Sequence, residues 1–170
     1  MNRCRPLTLI VMLMAVGACR PGVEQPGSAT SVPIRIVHRD QHCPGDSASI
    51  EVIQNSAALG QWWQPFARQR FPARPLPQSL ATIDFARSSA IVVYLGSRPT
   101  AGYDIELYSD RASVQKTSLT IPAQWREPPA GSLAAEVMTS PCVVMTLPAG
   151  RYETVTVRDR QGRELLVSRF

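Results

Sequence analysis

The sequence predicts a mainly β fold, an antiparallel sandwich or barrel-like domain with one short helix, and three observations carry that reading. Short runs rich in Val, Ile, Thr and Tyr recur through the chain, separated by Gly, Pro, Asp and Ser at the spacing of an antiparallel β protein. Among them, Thr154-Val155-Thr156-Val157 and Ile105-Glu106-Leu107 alternate as half-exposed strands do, whereas Ile91-Val92-Val93-Tyr94-Leu95 is apolar on both faces and belongs at a sheet centre. A single stretch has helical periodicity instead.

Taken in order, strands are expected at 34–37 and 50–53. The helix follows, because Leu59, Trp62, Trp63 and Phe66 fall at i, i+3, i+4 and i+7 and form one apolar stripe. Asn55 or Ser56 is available as its N-cap and Pro65 limits it. The paired tryptophans suit a helix docked on a sheet better than a ligand platform. The run Phe71-Pro72-Ala73-Arg74-Pro75-Leu76-Pro77 then reads as an extended surface loop. Further strands are expected at 90–95, 103–108, 113–121, 134–138, 142–147, 152–157 and 164–167, the last two joined as a hairpin through Arg158-Asp159-Arg160-Gln161-Gly162-Arg163.

The N-terminus is built differently. Arg3 and Arg5 precede an apolar run over 7–16, and the small residues Gly17 and Ala18 lead into Cys19. That run is too short for a membrane-spanning helix, which needs about 20 apolar residues. Val16-Gly17-Ala18-Cys19 resembles the lipobox of bacterial lipoproteins. The resemblance implies cleavage before Cys19, acylation of its thiol, and a membrane anchor in the cell envelope. At about 0.8 kcal/mol per buried methylene, two or more acyl chains hold stably. By the same analogy, Arg20 rather than Asp after the cysteine implies the outer membrane. Three regions are therefore expected: a signal over 1–18, the lipidated cysteine and a flexible Pro/Gly/Ser linker over 19–32, and one β-rich domain over 33–170.

Of the 170 residues, 18 are Lys or Arg and 13 are Asp or Glu, a net charge of +5 that falls to +3 once Arg3 and Arg5 leave with the signal. So mild an excess does not call for nucleic acid. The same processing removes Cys4 and commits Cys19 to lipid, which leaves Cys43 and Cys142. In an oxidising compartment their first reading is a disulfide, ahead of a metal site or two free thiols.

Catalytic apparatus is sparse. His38 and His42 are the two histidines, with Asp40 between them and Cys43 and Asp46 beyond. On a strand and turn their side chains do not converge as i, i+4 ligands do on a helix, so neither a metal centre nor a cofactor is expected. There is no Gly-x-Ser-x-Gly elbow and no phosphate-binding Gly-Lys-Ser/Thr. Asp104 and Glu106 share a strand face, and Arg98 and Arg111 nearby make it read as a solvated face. The chain is expected not to be an enzyme. Arg68, Arg70 and Arg74 offer one further reading, a surface for anionic lipid or glycan, which added salt would weaken.

The segment most suited to contact is Gly96-Ser97-Arg98-Pro99-Thr100-Ala101-Gly102-Tyr103. Pro99 fixes one backbone dihedral, Gly102 permits a positive one, and Thr100 can bond within its turn. A stiff exposed turn edged by one aromatic is a plausible contact surface. Equally, it reads as a tight connection whose Tyr103 starts the next strand and packs inward.

Thr82-Ile83-Asp84-Phe85, then Ala90 to Gly96, then Arg98-Pro99-Thr100-Ala101-Gly102-Tyr103-Asp104-Ile105-Glu106-Leu107, and finally Pro141-Cys142-Val143-Val144-Met145-Thr146-Leu147-Pro148, resemble the PrcB C-terminal domain family. The likeness runs from about residue 55 to 148, and Ala101 stands where the family usually has Gly. The family takes its name from a lipoprotein subunit of a cell-surface protease complex. The resemblance therefore implies a non-catalytic, membrane-anchored partner of a protease, with Arg98, Pro99, Thr100, Gly102 and Tyr103 as its contact residues. The same turn is similar to the Asn-Pro-Thr-Thr-Gly-Tyr loop of chagasin-like cysteine-protease inhibitors. Pro129-Ala130-Gly131-Ser132 echoes their Gly-rich loop faintly, and their Arg-Pro-aromatic loop has no counterpart. That likeness implies an inhibitor as the alternative.

Overall fold

The run that is apolar at every position lies where such a pattern must lie. In the computed structural model, which describes residues 28–68, 72–131 and 133–170, Ser88–Tyr94 is a central strand of a four-stranded sheet and is buried at all but its first residue. Along the chain the elements are β1 (Thr30–Pro33), β2 (Arg35–Asp40), β3 (Ser49–Ile53), α1 (Ser56–Arg68), α2 (Gln78–Ala81), β4 (Ser88–Tyr94), β5 (Asp104–Leu107), β6 (Arg111–Gln115), β7 (Ser118–Arg126), β8 (Cys142–Pro148), β9 (Thr154–Arg158) and β10 (Glu164–Arg169).

They form two open sheets, so the sandwich expectation holds and the closed-barrel alternative does not. The four-stranded sheet runs β2-β8-β4-β3, antiparallel throughout. The second runs β1-β6-β7-β9-β10, with β5 also on β7. β5 and β6 pair with successive halves of β7, and the register jumps between Leu107↔Ala123 and Ser113↔Thr120. One departure from the antiparallel expectation is the β7–β9 pair, which is parallel because the whole of β8 in the other sheet intervenes.

The two-residue period of β4 divides its side chains between two cores. Ile91, Val93 and Leu95 face the second sheet, joining Ile105, Leu119, Ile121, Val143, Met145, Val155 and Val157 in an aliphatic layer. Ala90, Val92 and Tyr94 face the other way, onto Leu59, Trp62, Trp63 and Phe66 of α1 and Leu80 of α2. The result is three layers: helix, four-stranded sheet, second sheet.

Within α1 the expected stripe is the buried one. Asn55 is the N-cap, its Oδ1 accepting from the Ala58 N–H at 2.8 Å, a bond worth about 1 kcal/mol. Pro65, however, lies inside the helix rather than ending it. It is exposed, so the Gln61 carbonyl it leaves unpaired faces water, and the buried residues on both sides hold the helix together.

Other boundaries differ from the sequence expectation. β1 begins inside the stretch read as linker, at Thr30, and pairs with β6 before the Ile34 N–H donates to the Asp110 carbonyl at 2.8 Å. The strand expected over 113–121 is two strands hinged at Lys116, whose φ is 56°. Thr156, expected half-exposed, is buried. Residues 134–138, expected as a strand, have no ladder. The hairpin of β9 and β10 forms as expected, its turn closed by Asp159, which accepts from the Gln161 and Arg163 N–H groups and from Arg163 Nε. Burial pushes the Asp159 carboxyl up, but these donors and the Arg163 charge outweigh it and leave it below the usual carboxylate range.

Cys43 and Cys142 form a disulfide with Cα atoms 5.9 Å apart and both residues buried. It joins residues 99 apart in sequence. For a loop of that length the chain-entropy argument gives on the order of 4 to 5 kcal/mol, less any native strain.

Candidate functional site

The turn after β4 is held from two sides. At its base Gly96 has φ +76°, and a Cβ there would stand 2.8 Å from the Asp46 carbonyl and the Ala48 nitrogen, so no side chain fits. Ser97 donates its N–H to the Asp46 carbonyl at 3.0 Å and its hydroxyl to Asp46 Oδ1 at 3.1 Å. From the opposite side Arg98 and Thr139 exchange backbone hydrogen bonds of 2.7 and 2.9 Å, and Thr139 Oγ1 donates to the Thr100 carbonyl at 3.0 Å. Ala101 N–H reaches the Ala135 carbonyl at 3.0 Å.

The disulfide links these two supports. Cys43 N–H donates to the Ser140 carbonyl at 2.9 Å, and Ser140 Oγ donates to the Gly45 carbonyl at 2.8 Å. Segments 43–46 and 139–142 are thus one cross-linked clamp around the turn.

Above the clamp, Pro99 and Gly102 are exposed, and Arg98, Thr100 and Ala101 are half-buried. Tyr103 is half-buried too and packs against the inter-sheet core. Its ring carries the Arg98 guanidinium at 5.5 Å, while Arg98 Nη2 donates to the Leu95 carbonyl at 2.9 Å. Of the two sequence readings, Tyr103 therefore follows the inward one, while at the apex Pro99 and Gly102 are exposed. The Arg98–Tyr103 stack stiffens the base; Gly102, at φ +99°, lies beside Pro128 with room for no more than a tight contact.

Two shallow clefts flank the apex. One, of about 310 Å³, is lined by Ala101, Gly102, Arg126, Pro128, Leu133 and Ala135 among others. The second, of about 400 Å³, lies between Tyr103, Asp104, Gln41, His42, Val137 and Thr139. Nothing in the sequence pointed to 133–138 as part of this surface, because its apolar composition reads as a strand.

The His38, Asp40, His42 and Cys43 cluster resolves differently. Cys43 is taken by the disulfide. Asp40 accepts from the His42 N–H at 2.9 Å and from Arg74 Nη1 at 2.6 Å. Arg74 also lies 5.3 Å over the Trp63 ring, and its carbonyl accepts from Trp63 Nε1 at 3.2 Å. The arrangement pins the Pro-rich loop onto α1. Burial pushes Asp40 up, but the His42 N–H and Arg74 outweigh it and hold the carboxyl below its usual range. His38 is pushed down, by burial first and by Arg74, against the pull of Asp40, and stays neutral near pH 7. Its ring meets Trp63 edge-on at 5.9 Å, and its buried Nε2 has no hydrogen-bond partner among the described residues. Among the described residues, no three His, Cys, Asp or Glu side chains gather as metal ligands.

Asp104 and Glu106 do share a face, but their partners are not those expected. Arg39 takes Asp104 at 2.7 Å and Arg126 takes Glu106 at 3.2 Å, whereas Arg111 bonds to Ser31. Of the arginines considered for anion binding, Arg74 is committed to Asp40 and Trp63, and Arg70 lies outside the described residues, as does Cys19.

Fold and site together define a helix-backed β-sandwich that presents one clamped, exposed turn. Residues 89–148, from β4 to the end of β8, match the family model described as PrcB C-terminal. The chain is thus similar to that family over the stretch that contains the turn and Cys142, while Thr82-Ile83-Asp84-Phe85 and the helix lie outside the matched residues. No curated protein and no solved structure matches the chain.

Proposed function

We propose that the protein is a non-catalytic binding subunit of a bacterial envelope protease, anchored by lipid on Cys19 and contacting its partner through the 96–103 turn. One observation carries this reading: Pro99 and Gly102 at the apex are exposed, with Thr100 half-buried between them, although the base is tied down on both sides. A turn held in this way has little conformational entropy left to lose on binding, so its contacts convert more fully into affinity. The match to PrcB C-terminal supports a partner that belongs to a protease complex. The commitment of Cys43 to a disulfide and of Asp40 to Arg74 supports a binding role rather than a catalytic one.

The test is a crosslinked pull-down of the lipidated protein from its native envelope, analysed by mass spectrometry, beside Pro99→Ala/Thr100→Arg. That variant alters the apex and leaves Tyr103 in the core. Recovery of a protease by the wild type and its loss in the folded variant is the expected result. Equal recovery by both, or no protease at all, would remove the reading. Activity assays on the recovered protease then distinguish a helper from an inhibitor.

A further inference from the structure

The four-stranded sheet carries the helix layer on its outer face, whereas neither helix packs on the outer face of the second sheet. Register decides which side chains stand there. Leu119, Ile121 and Ala123 of β7 point into the core, so Thr120 and Pro122 point out. Strand pairing carries the Thr120 rung across the sheet as Ser31, Ser113, Thr120, Thr156 and Val167. Arg169, two residues beyond Val167 on β10, points the same way. The face is therefore low in relief and rich in hydroxyls, with Val167 44% exposed on it and Phe170, 55% exposed, directly after its last strand.

The charges of this sheet do not cancel. Four of its acids are neutralised at close range: Asp104 by Arg39, Glu106 by Arg126, Glu164 by Arg158 and Asp159 by Arg163. Glu153 is held by Arg151. Lys116, Arg111, Arg160 and Arg169 are exposed and have no carboxylate partner among the described residues; Arg111 bonds Ser31 and Arg160 lies over the Tyr108 ring. Against these four stand Asp110 and the terminal carboxylate of Phe170, which leaves an excess of two positive charges. The chain also enters the domain here, since β1 is the edge strand of the same sheet. Cys19 lies eleven residues before Thr30, a span of at most about 40 Å when fully extended. An anchor on Cys19 thus reaches this face without passing around the helix layer.

We propose that the outer face of the second sheet lies against an anionic phospholipid surface, with Lys116, Arg160 and Arg169 meeting headgroup phosphates and Val167 and Phe170 entering the headgroup layer. The inference rests on the reading of Cys19 as a lipid anchor and adds to it the side on which the domain lies down. The 96–103 turn, which joins the end of β4 to the start of β5, is then at an end of the sandwich and open to a partner beside the membrane.

The test places the lipidated protein in phosphatidylcholine vesicles with and without phosphatidylglycerol, with a fluorophore at Ser113→Cys on the sheet face or at Gln64→Cys on α1. Both positions are exposed. An aqueous quencher should reach Gln64→Cys equally in both vesicles. It should reach Ser113→Cys about fivefold less where phosphatidylglycerol is present, the factor that one basic group contributes at an anionic surface. Lys116→Gln/Arg160→Gln/Arg169→Gln should restore full quenching, as should high salt. Circular dichroism confirms that each variant is folded. Quenching of Ser113→Cys that ignores phosphatidylglycerol, or shielding of Gln64→Cys instead, would overturn the proposal. So would equal shielding of Ser113→Cys by heparin without vesicles, because the face would then take a soluble polyanion. The mass of the native protein separates the two readings. If Cys19 is acylated and Ser113→Cys stays open, this inference fails and the anchor stands. If Cys19 is unacylated the anchor fails, and this inference stands only if the protein still sediments with the anionic vesicles and falls if it does not.

Discussion

The two faces of the four-stranded sheet are built on different principles. Toward the second sheet, Ile91, Val93, Val143 and Met145 meet Ile105, Leu119, Ile121 and Val157, with almost no polar atom to satisfy. Toward the helix, the layer is aromatic, and Trp62, Trp63 and Tyr94 each have a polar tip in use. Trp62 Nε1 donates to the Tyr94 hydroxyl, which in turn donates to Glu51 Oε2 at 2.9 Å, and Trp63 is bonded to Arg74. Trp63 and Phe66 stack at 4.8 Å. The aliphatic face depends on area alone, whereas the helix face adds direction through hydrogen bonds, ring geometry and the disulfide. That difference places the specific contacts on the side that also anchors the turn.

The comparison breaks most visibly under large-to-small substitution. Phe66→Ala should cost about 3 to 5 kcal/mol and Ile121→Ala about 2 to 5, read from urea unfolding. Equal or reversed losses would mean that the helix layer is no better packed than the inter-sheet one. Next in size is the staple: Cys43→Ala/Cys142→Ala should lose about 2 to 4 kcal/mol. It should also raise amide exchange at Ser97 and Arg98 well above that in β9, and uniform exchange would detach the disulfide from the turn.

Tyr94→Phe sharpens the comparison at a smaller scale. Burial pushes the Tyr94 hydroxyl up, with Glu51 adding to it against the opposing Trp62 bond, so it is protonated at any ordinary pH. Its removal leaves the Trp62 N–H buried without a partner, at about 1 to 3 kcal/mol. On the inter-sheet side the matching change is Tyr152→Phe, whose hydroxyl donates to the Pro148 carbonyl at 2.7 Å; its loss strands no buried donor and should cost less.

The smallest effect is a pH dependence whose upper part arises on the helix side, from His38. An unfolded histidine takes its proton near pH 6.5, while burial lowers the pKa of folded His38. The unfolded state therefore binds the proton first. The stability is fully present above about pH 6.5 and is lost as pH falls through the folded pKa. Asp40, also lowered, adds a second loss below its ordinary 3.8. His38→Gln should flatten the upper part of the profile in pH-dependent unfolding, and an unchanged profile would remove His38 as its source.

Much of this was legible because the signals are periodic or exclusive. The α1 stripe, the doubly apolar β4 and the hairpin turn follow from spacing, and the cysteine pair follows from elimination. What escaped had no local signal. β1 is four residues, Thr-Ser-Val-Pro, with three exposed, and exists because β6 offers it an edge. The hinge at Lys116 uses a left-handed lysine where a glycine or asparagine would have announced a turn. The ladder absent from 134–138 depends on what lies beside it, which no window of sequence reports. Likewise the Arg39–Asp104 pair spans 65 positions, and the clamp around the turn draws on residues near 45 and near 140.

The order of strands in the four-stranded sheet also governs when the 96–103 turn acquires its support. β4 and β8 sit at its centre, but their neighbours β2 and β3 precede them by dozens of residues, and Cys142 must find Cys43 across nearly the whole domain. A chain emerging from synthesis therefore holds the turn sequence long before it holds the second half of the turn's support, residues 139–142. Contacts this distant close slowly. Until residues 139–142 arrive the turn has its Asp46 contacts but no second support and no staple, so it is held from both sides only in the completed domain.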